Sequence, residues 1–394
     1  MIYCDFQGKQ LSALGFGCMR LPVTAEGAID QDQVQAMTDY AMAHGGNYFD
    51  TAYPYHGGQS EIAIGKALSK YPRESYYLAN KFPGHQLASS YDPAGIFEEQ
   101  LKKCGVEYFD FYLLHNVHEN SYRTYLDPRW GILEYFKEQK RLGRIRHLGF
   151  SSHGRLAMLK DFLDVCGGDM EFCQLQVNYL DWTLQDARAK YELMASHNIP
   201  VWVMEPVRGG KLANLKEADA AALKGLRPQE SSVAWCFRFL QGLPNVKMIL
   251  SGMSDMQQMR ENISTFEEKK PLLHGEEAVL MQIAEGMKQS IPCTSCRYCC
   301  DGCPMGLNIP VLLDILNDLR VTPSVNTAMY IEFLPEDKKP DACVKCGKCA
   351  QVCPQGISIP ELLEELSEIM KKAPSWVKIS KEREEAAKRL REGK

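Results

Sequence analysis

No stretch of the chain holds the roughly 18–20 consecutive apolar residues that a membrane-spanning helix needs. The start, MIYCDFQGKQ, has neither the basic opening nor the apolar core of a secretory leader. Neither a membrane span nor export into an oxidising compartment is expected, and the setting read from this is cytoplasmic. Net charge is also scarce: 45 Lys and Arg against 50 Asp and Glu leave −5, which argues against a general nucleic-acid binder. No G-x-G-x-x-G follows the first predicted strand, so the mark of a doubly wound dinucleotide-binding sheet is missing. Cysteine, by contrast, is abundant at fifteen residues. In a long chain without a leader that points to metal or redox chemistry in a reducing medium rather than to a disulfide framework.

Eight of the fifteen form a repeat. Cys343, Cys346, Cys349 and Cys353 are spaced C-x2-C-x2-C-x3-C with Pro354 after them, and Cys293, Cys296, Cys299 and Cys303 repeat the spacing fifty residues earlier with Pro304. The echo continues through Gly306, Ile309, Pro310, Leu312 and Leu313 against Gly356, Ile359, Pro360, Leu362 and Leu363. Paired C-x-x-C motifs also bind zinc, but four ligands per zinc leave no use for a third gap and a Cys-Pro, twice. The spacing resembles that of two-cluster bacterial ferredoxins and implies two 4Fe–4S clusters. By that resemblance the fourth cysteine of each motif ligates the other cluster: Cys353 joins Cys293, Cys296 and Cys299, and Cys303 joins Cys343, Cys346 and Cys349. Apolar helical runs after each Cys-Pro predict a mainly helical module. Cys300 competes with Cys299, and the repeat selects Cys299. The remaining cysteines (Cys4, Cys18, Cys104, Cys166, Cys173, Cys236) read as buried, inert thiols.

Upstream, a hairpin is predicted at Tyr3–Phe6 and Lys9–Ser12. Short apolar runs then alternate with amphipathic ones. Predicted strands are Leu14–Gly17, Tyr48–Asp50, Tyr76–Lys81, Phe109–His115, Ile145–Phe150, Phe172–Val177, Pro200–Met204 and Val246–Leu250, each followed by a helix. Eight such units in about 250 residues predict an α/β fold, a (β/α)8 TIM barrel. The expected division is a barrel over 1–266, a linker and helix over 267–290, the cluster module over 291–370 and a charged tail over 371–394. The tail reads as a solvated segment, with a basic docking surface as the alternative.

In such barrels chemistry sits at the C-terminal ends of the strands. Asp50, Tyr55, Lys81 and His115 stand there, on or just after consecutive strands. Carbonyl reduction requires a proton donor where charge builds on oxygen. A tyrosine fits if a lysine cation, itself held by an aspartate, lowers its pKa, and a histidine can orient the carbonyl.

Phe49–Glu61 (FDTAYPYHGGQSE), Ala79–Phe82, Tyr112–His115 and Gly149–His153 (GFSSH) resemble the aldo-keto reductase signatures over roughly two-thirds of the chain. The whole resembles an iron–sulfur branch of that family. The resemblance implies that Tyr55 is the general acid, with Lys81, Asp50 and His115 as partners. It places Ser151, Ser152 and Gln176 at the nicotinamide carboxamide. It also implies contacts from Met204, where the family usually has a stacking tyrosine, and from Gln258 and Asn262 near the adenosine. Gln258 stands where the family has an arginine for the 2′-phosphate, which puts NADPH preference in question, with Arg208 and Arg260 as nearby substitutes. The loop with Arg208, Gly209, Gly210 and Lys211 reads as a phosphate cradle or a plain turn. NAD(P)H is the expected cofactor. Because nicotinamide moves two electrons and each cluster one, FMN is a further candidate.

Three accounts of function follow. One is a small-carbonyl or alcohol oxidoreductase whose clusters pass electrons to a protein partner. The second is an ordinary NAD(P)H carbonyl reductase with structural clusters. The third is a non-enzymatic electron-transfer protein on a barrel scaffold. Trp130, Tyr179, Trp182 and Trp202 either line the substrate pocket or belong to the core.

Overall fold

The fold is described from a computed structural model, which describes residues 1–85, 90–119, 121–287, 291–321 and 334–372. It divides into two compact units, Met1–Lys288 and Gln289–Lys394.

The first unit opens with the hairpin β1 (Tyr3–Phe6) and β2 (Lys9–Ser12). Gln7 and Gly8 both take left-handed backbone (φ 51° and 79°), as a two-residue hairpin turn requires. Eight strands then close a parallel barrel: β3 (Leu14–Gly17), β4 (Tyr48–Asp50), β5 (Tyr77–Phe82), β6 (Phe109–Val117), β7 (Ile145–Ser152), β8 (Cys173–Gln176), β9 (Val201–Met204) and β10 (Val246–Ser251), with β10 pairing back onto β3. Strands β6 and β7 run past their predicted ends, because Val117 pairs with Ser152 beyond a register shift.

Alternation along the strands sorts the interior. Tyr48, Ala79, Phe111, Leu113, Phe172, Trp202, Met248 and Leu250 form an apolar filling, joined by Phe6 and Leu11 of the hairpin. Phe6 meets Trp202 edge-on at 5.0 Å. Gly15 makes room for this packing: a Cβ there would lie 2.6 Å from Leu250 Cδ2 and 2.8 Å from Met248 Sδ. Two residues further along the same strands stand Asp50, Lys81, His115 and Met204, so a period of two carries the chain from packed floor to polar mouth.

Around the barrel, helices bury their apolar sides against the outward strand residues. Gln31–Ala43, for example, buries Val34, Met37 and Ala41 behind an Asp30 cap. After β8 the amphipathic pattern over Leu184–Ser196 predicts one helix; the structure has two, Asp181–Leu184 and Ala187–Ser196, separated where Asp186 takes left-handed φ. A helix the pattern did not suggest, Glu217–Leu226, is rich in alanine and buries only Leu223. Helix His274–Met287 belongs to this unit, burying Leu280, Ile283 and Ala284 in its core. Among the described residues no helix is long and apolar enough to cross a membrane.

The second unit carries the cysteine repeat, and the repeat extends to the backbone. Helices Tyr298–Asp301 and Lys348–Gln351 correspond, as do the starts of Ile309–Val321 and Ile359–Lys372. Left-handed φ recurs at Ser295 and Lys345, Arg297 and Gly347, and Gly306 and Gly356. Its core is separate and small, built on Ile309, Leu312, Leu313, Leu316, Ile359, Leu363 and Leu366. All but two residues of the predicted charged tail lie outside the described residues.

Candidate active site and cysteine quartets

The strand ends bring Asp50, Lys81, Tyr55 and His115 together. Lys81 Nζ donates to Asp50 Oδ1 at 2.5 Å, to Thr51 O at 2.8 Å and to Tyr55 Oη at 3.4 Å. The ring of His115 lies edge-on to Tyr55, centroids 5.9 Å apart. Tyr55 is held on a short turn that follows β4. Its N–H donates to Ala52 O, His56 takes left-handed φ, and His56 Nε2 accepts from Leu21 N–H at 3.1 Å. His115 is fixed through its own carbonyl, which accepts from Tyr125 Oη at 2.6 Å and lies 3.1 Å from His85 Nδ1. Gly84 is needed there, since a Cβ would fall 2.6 Å from the Tyr125 ring.

Electrostatics depart from the expectation that the lysine lowers the tyrosine's pKa. Burial, then the negative charge of Asp50, pushes Tyr55 well above its ordinary value. Burial likewise raises Asp50 and lowers Lys81, opposed in each by the partner. At this buried position, the cost of desolvating a phenolate outweighs a cation whose charge is already shared with Asp50. Tyr55 is therefore a proton-bearing acid. Burial, with His85, Lys81 and His153 nearby, drives His115 well below its usual range, so it is neutral. Its Nδ1 is buried with no partner. A proton there would be an orphaned donor, so the N–H is assigned to Nε2.

The predicted cofactor residues separate into two groups. Ser151, buried, accepts from Asn116 N–H at 2.9 Å and keeps its own hydroxyl hydrogen to donate. Ser152 differs: its hydroxyl donates to Val117 O at 2.6 Å and accepts from Gly154 N–H at 2.9 Å, so its one hydrogen is spent inside the protein. Gln176 Nε2 donates to Asp181 Oδ2 at 2.7 Å, and Asn262 Nδ2 to Ser251 Oγ at 3.1 Å. Met204 ends β9 half-buried.

Arg208 lies inside the fold. It is fully buried, and its Nε donates to both oxygens of Asp181 at 3.0 Å, so its charge is neutralised within the fold rather than offered by the loop. Gly209 and Gly210 take left-handed backbone beside it, and Gly210 N–H donates to Val207 O. Gln258 is also engaged. Asp255 caps helix Met256–Thr265 by accepting from Gln258 N–H, while the Gln258 amide reaches back to Asp255 Oδ2 and Ser254 N–H. From the sequence, His85 and Asp181 only open the loops His85–Tyr91 and Asp181–Thr183 expected to carry specificity, and neither lies in a spacing pattern that gives it a role of its own. Position just past a barrel strand was the only signal.

Of the four aromatics, Trp202 and Tyr179 are fully buried, and Trp202 belongs to the barrel filling. Trp182 packs on Tyr191 and Phe239 of the helical layer, and Trp130 meets Tyr91 edge-on at 5.4 Å.

In the second unit two cavities each collect four thiols across the repeat. Cys303, Cys343, Cys346 and Cys349 line one, with Leu307, Ile309, Pro360 and Leu363. Cys293, Cys296, Cys299 and Cys353 line the other, with Pro310, Leu313, Ile357 and Ile359. Ser295 N–H points at Cys293 Sγ, 3.4 Å away. Four thiols in an apolar wall, with no imidazole or carboxylate in the lining, suit a soft, sulfur-ligated group. Among the described residues no three His, Cys, Asp or Glu gather tightly enough for a single metal ion. The scattered cysteines of the barrel form no disulfide, and burial pushes the Cys166 thiol up to about 12.

Comparison with known proteins agrees with both units. The aldo/keto reductase family matches residues 13–273, and a 4Fe-4S dicluster domain matches residues 292–357. The chain is 25% identical over 299 residues to the NADH-specific methylglyoxal reductase of Escherichia coli, covering 64% of this chain and 89% of that one. A probable aldo-keto reductase of Glycine max is 32% identical over 156 residues, which span 37% of this chain and 42% of the soybean protein. Among solved structures, the holo form of AKR11C1 from Bacillus halodurans superposes with a TM-score of 0.57 at 26% identity, over 70% of this chain and 93% of that one. An aldo/keto reductase of Klebsiella pneumoniae in complex with NADP and acetate shares the fold, with a TM-score of 0.58 at 18% identity, over 71% and 93%. The chain belongs to the aldo/keto reductase family and carries a C-terminal 4Fe-4S dicluster domain.

Proposed function

We propose that this member of the family interconverts a small carbonyl compound and its alcohol at the mouth of the barrel, with NADH as the nicotinamide cofactor. Two 4Fe–4S clusters held by the cysteine quartets exchange electrons with a protein partner. The observation that carries the catalytic reading is the convergence of Tyr55, Lys81, Asp50 and His115, from three strands and a turn, on one polar mouth above an apolar floor. A bound reduced nicotinamide supplies hydride. Tyr55 Oη gives its proton to the carbonyl oxygen, and Lys81 Nζ, 3.4 Å away, stabilises the phenolate left behind. Asp50 keeps Lys81 oriented and charged, and His115 Nε2 donates a hydrogen bond that aims the carbonyl. Ser151, with a hydroxyl hydrogen to donate, is assigned to the cofactor amide. Ser152 and Arg208 are assigned structural work.

NADH is favoured over NADPH by the start of helix Met256–Thr265. Gln258 is tied into the cap and the Asp255 carboxylate stands beside it, a poor environment for a 2′-phosphate. The NADH specificity in the name of the Escherichia coli relative points the same way. A flavin would resolve the mismatch between two-electron and one-electron carriers, but solved relatives named with a bound nucleotide hold NADP or NADPH. The experiment is an anaerobic titration of iron-loaded protein with NADH and then NADPH, together with turnover of a panel of small aldehydes. Carbonyl-dependent NADH oxidation abolished by Tyr55→Phe supports the reading. Equal turnover with the variant overturns it.

A further inference from the structure

We propose that the face around Cys346 docks a small acidic one-electron carrier protein. This rests on the reading that the quartets hold redox-active clusters. The two quartets differ in exposure. Cys293 and Cys299 are buried, and Cys296 and Cys353 partly so, whereas Cys346 is exposed. Electron exchange between proteins weakens steeply with distance, so the quartet with a surface ligand is the one a carrier can approach.

What surrounds that ligand has diverged from the repeat that built it. Val344 is 59% exposed and Val352 40% exposed, while their counterparts fifty residues earlier are the buried Thr294 and Gly302, which is exposed but has no side chain to present. Lys345 and Lys348, both exposed, replace Ser295 and Tyr298. The repeat thus preserves cysteines and backbone, but two exposed valines with two exposed lysines stand on the later motif, where the earlier one has the single exposed Arg297. Between Cys343 and Cys353 there is no carboxylate. Glu364 of helix Ile359–Lys372 pairs with Lys345 at 2.6 Å in an exposed contact of small worth, and Asp341, two residues before Cys343, accepts from Ser367 Oγ. Upstream, Lys338 and Lys339 are matched by Asp337 and Glu336. Lys348 makes no ion pair among the described residues. Exposed apolar side chains beside Lys348 and the weakly paired Lys345 fit a carrier that presents an acidic rim around its own redox centre. At each encounter the carrier loses one electron, the site bordered by Cys303, Cys343, Cys346 and Cys349 gains it, and no bond or proton moves. The reverse transfer uses the same face.

The test uses the full iron-loaded chain and a purified flavodoxin, reduced beforehand, as the acidic carrier. Its oxidation is followed by its own absorbance in stopped flow at several ionic strengths. The wild-type rate is expected to fall with salt. The Lys345→Glu/Lys348→Glu double variant is expected to be at least about tenfold slower and nearly salt-independent. Val344→Ser, which leaves every charge in place, is expected to slow transfer less. Lys371→Glu, outside the motif, should match wild type, and small-molecule reduction by dithionite should be equal in all of them. A double variant as fast as wild type, with dithionite reducing both, overturns the port while leaving redox-active clusters standing. Iron-loaded wild type that dithionite cannot reduce removes the underlying reading and the port with it.

Discussion

In the barrel, polar residues rest on a large apolar interior that exists without them. In the second unit, the described core has fourteen buried apolar residues, and three of those are the cysteines Cys293, Cys299 and Cys349. The barrel can therefore be folded first and equipped second. The cysteine unit includes its own ligands in the structure they serve, so the group those thiols hold and the fold that presents them stand or fall together. The units also differ in how they tolerate buried charge. The barrel encloses Lys81 with Asp50 and Arg208 with Asp181, whereas among the described residues the wall around each quartet has no charged group apart from Arg297 at the edge of one.

Stripping iron with a chelator should separate the two most sharply. Amide protection across 291–321 and 334–372 is expected to collapse while the barrel strands keep theirs, read by hydrogen exchange. Retained protection in the second unit would break the contrast. Tyr55→Phe should lower kcat/KM by about 10²–10⁴-fold with little change in melting temperature, because the ring remains in place. Lys81→Met should cost stability as well as activity. It leaves Asp50 buried and unpaired, at about 3–5 kcal/mol in a denaturant titration, and adding Asp50→Asn should restore much of the loss. Ser152→Ala should cost about 1–3 kcal/mol by orphaning Gly154 N–H and Val117 O, with the KM for NADH nearly unchanged, against the role its position in the motif implies.

The smallest effect expected is that of pH. His115 is neutral above its depressed pKa, and Tyr55 is protonated below its raised one. The competent pair therefore persists across neutrality, and kcat/KM should show no limb from these groups between about pH 6.5 and 9. A limb in that range that vanished in Tyr55→Phe would show that a bound cofactor brings the tyrosine's pKa down.

By itself the sequence determined what is local or periodic. Cluster-ligand gaps are set within a single loop, so the presence of a 4Fe-4S dicluster domain was legible from the spacing of eight cysteines. The alternation of short apolar and amphipathic runs carried the barrel, because a strand's period of two and a helix's of 3.6 are written in neighbouring residues. Asp50, Lys81 and His115 could be placed because strand ends in a barrel share one mouth. Helix Glu217–Leu226 was missed because it buries almost nothing, and the break at Asp186 because backbone handedness leaves no hydrophobic trace. Only the tertiary structure decided which polar groups are spent on one another. Arg208 meets Asp181 across 27 residues, Ser152 meets Val117 across 35, and Trp202 is sealed against the hairpin's Phe6. The grouping of Cys303 with the later motif and Cys353 with the earlier one, by contrast, was already implied by the ferredoxin-like spacing. The pairings of Arg208, Ser152 and Trp202 depend on which strands and turns become neighbours in space, and a residue's type and spacing do not record the partner that closure of the fold will bring to it.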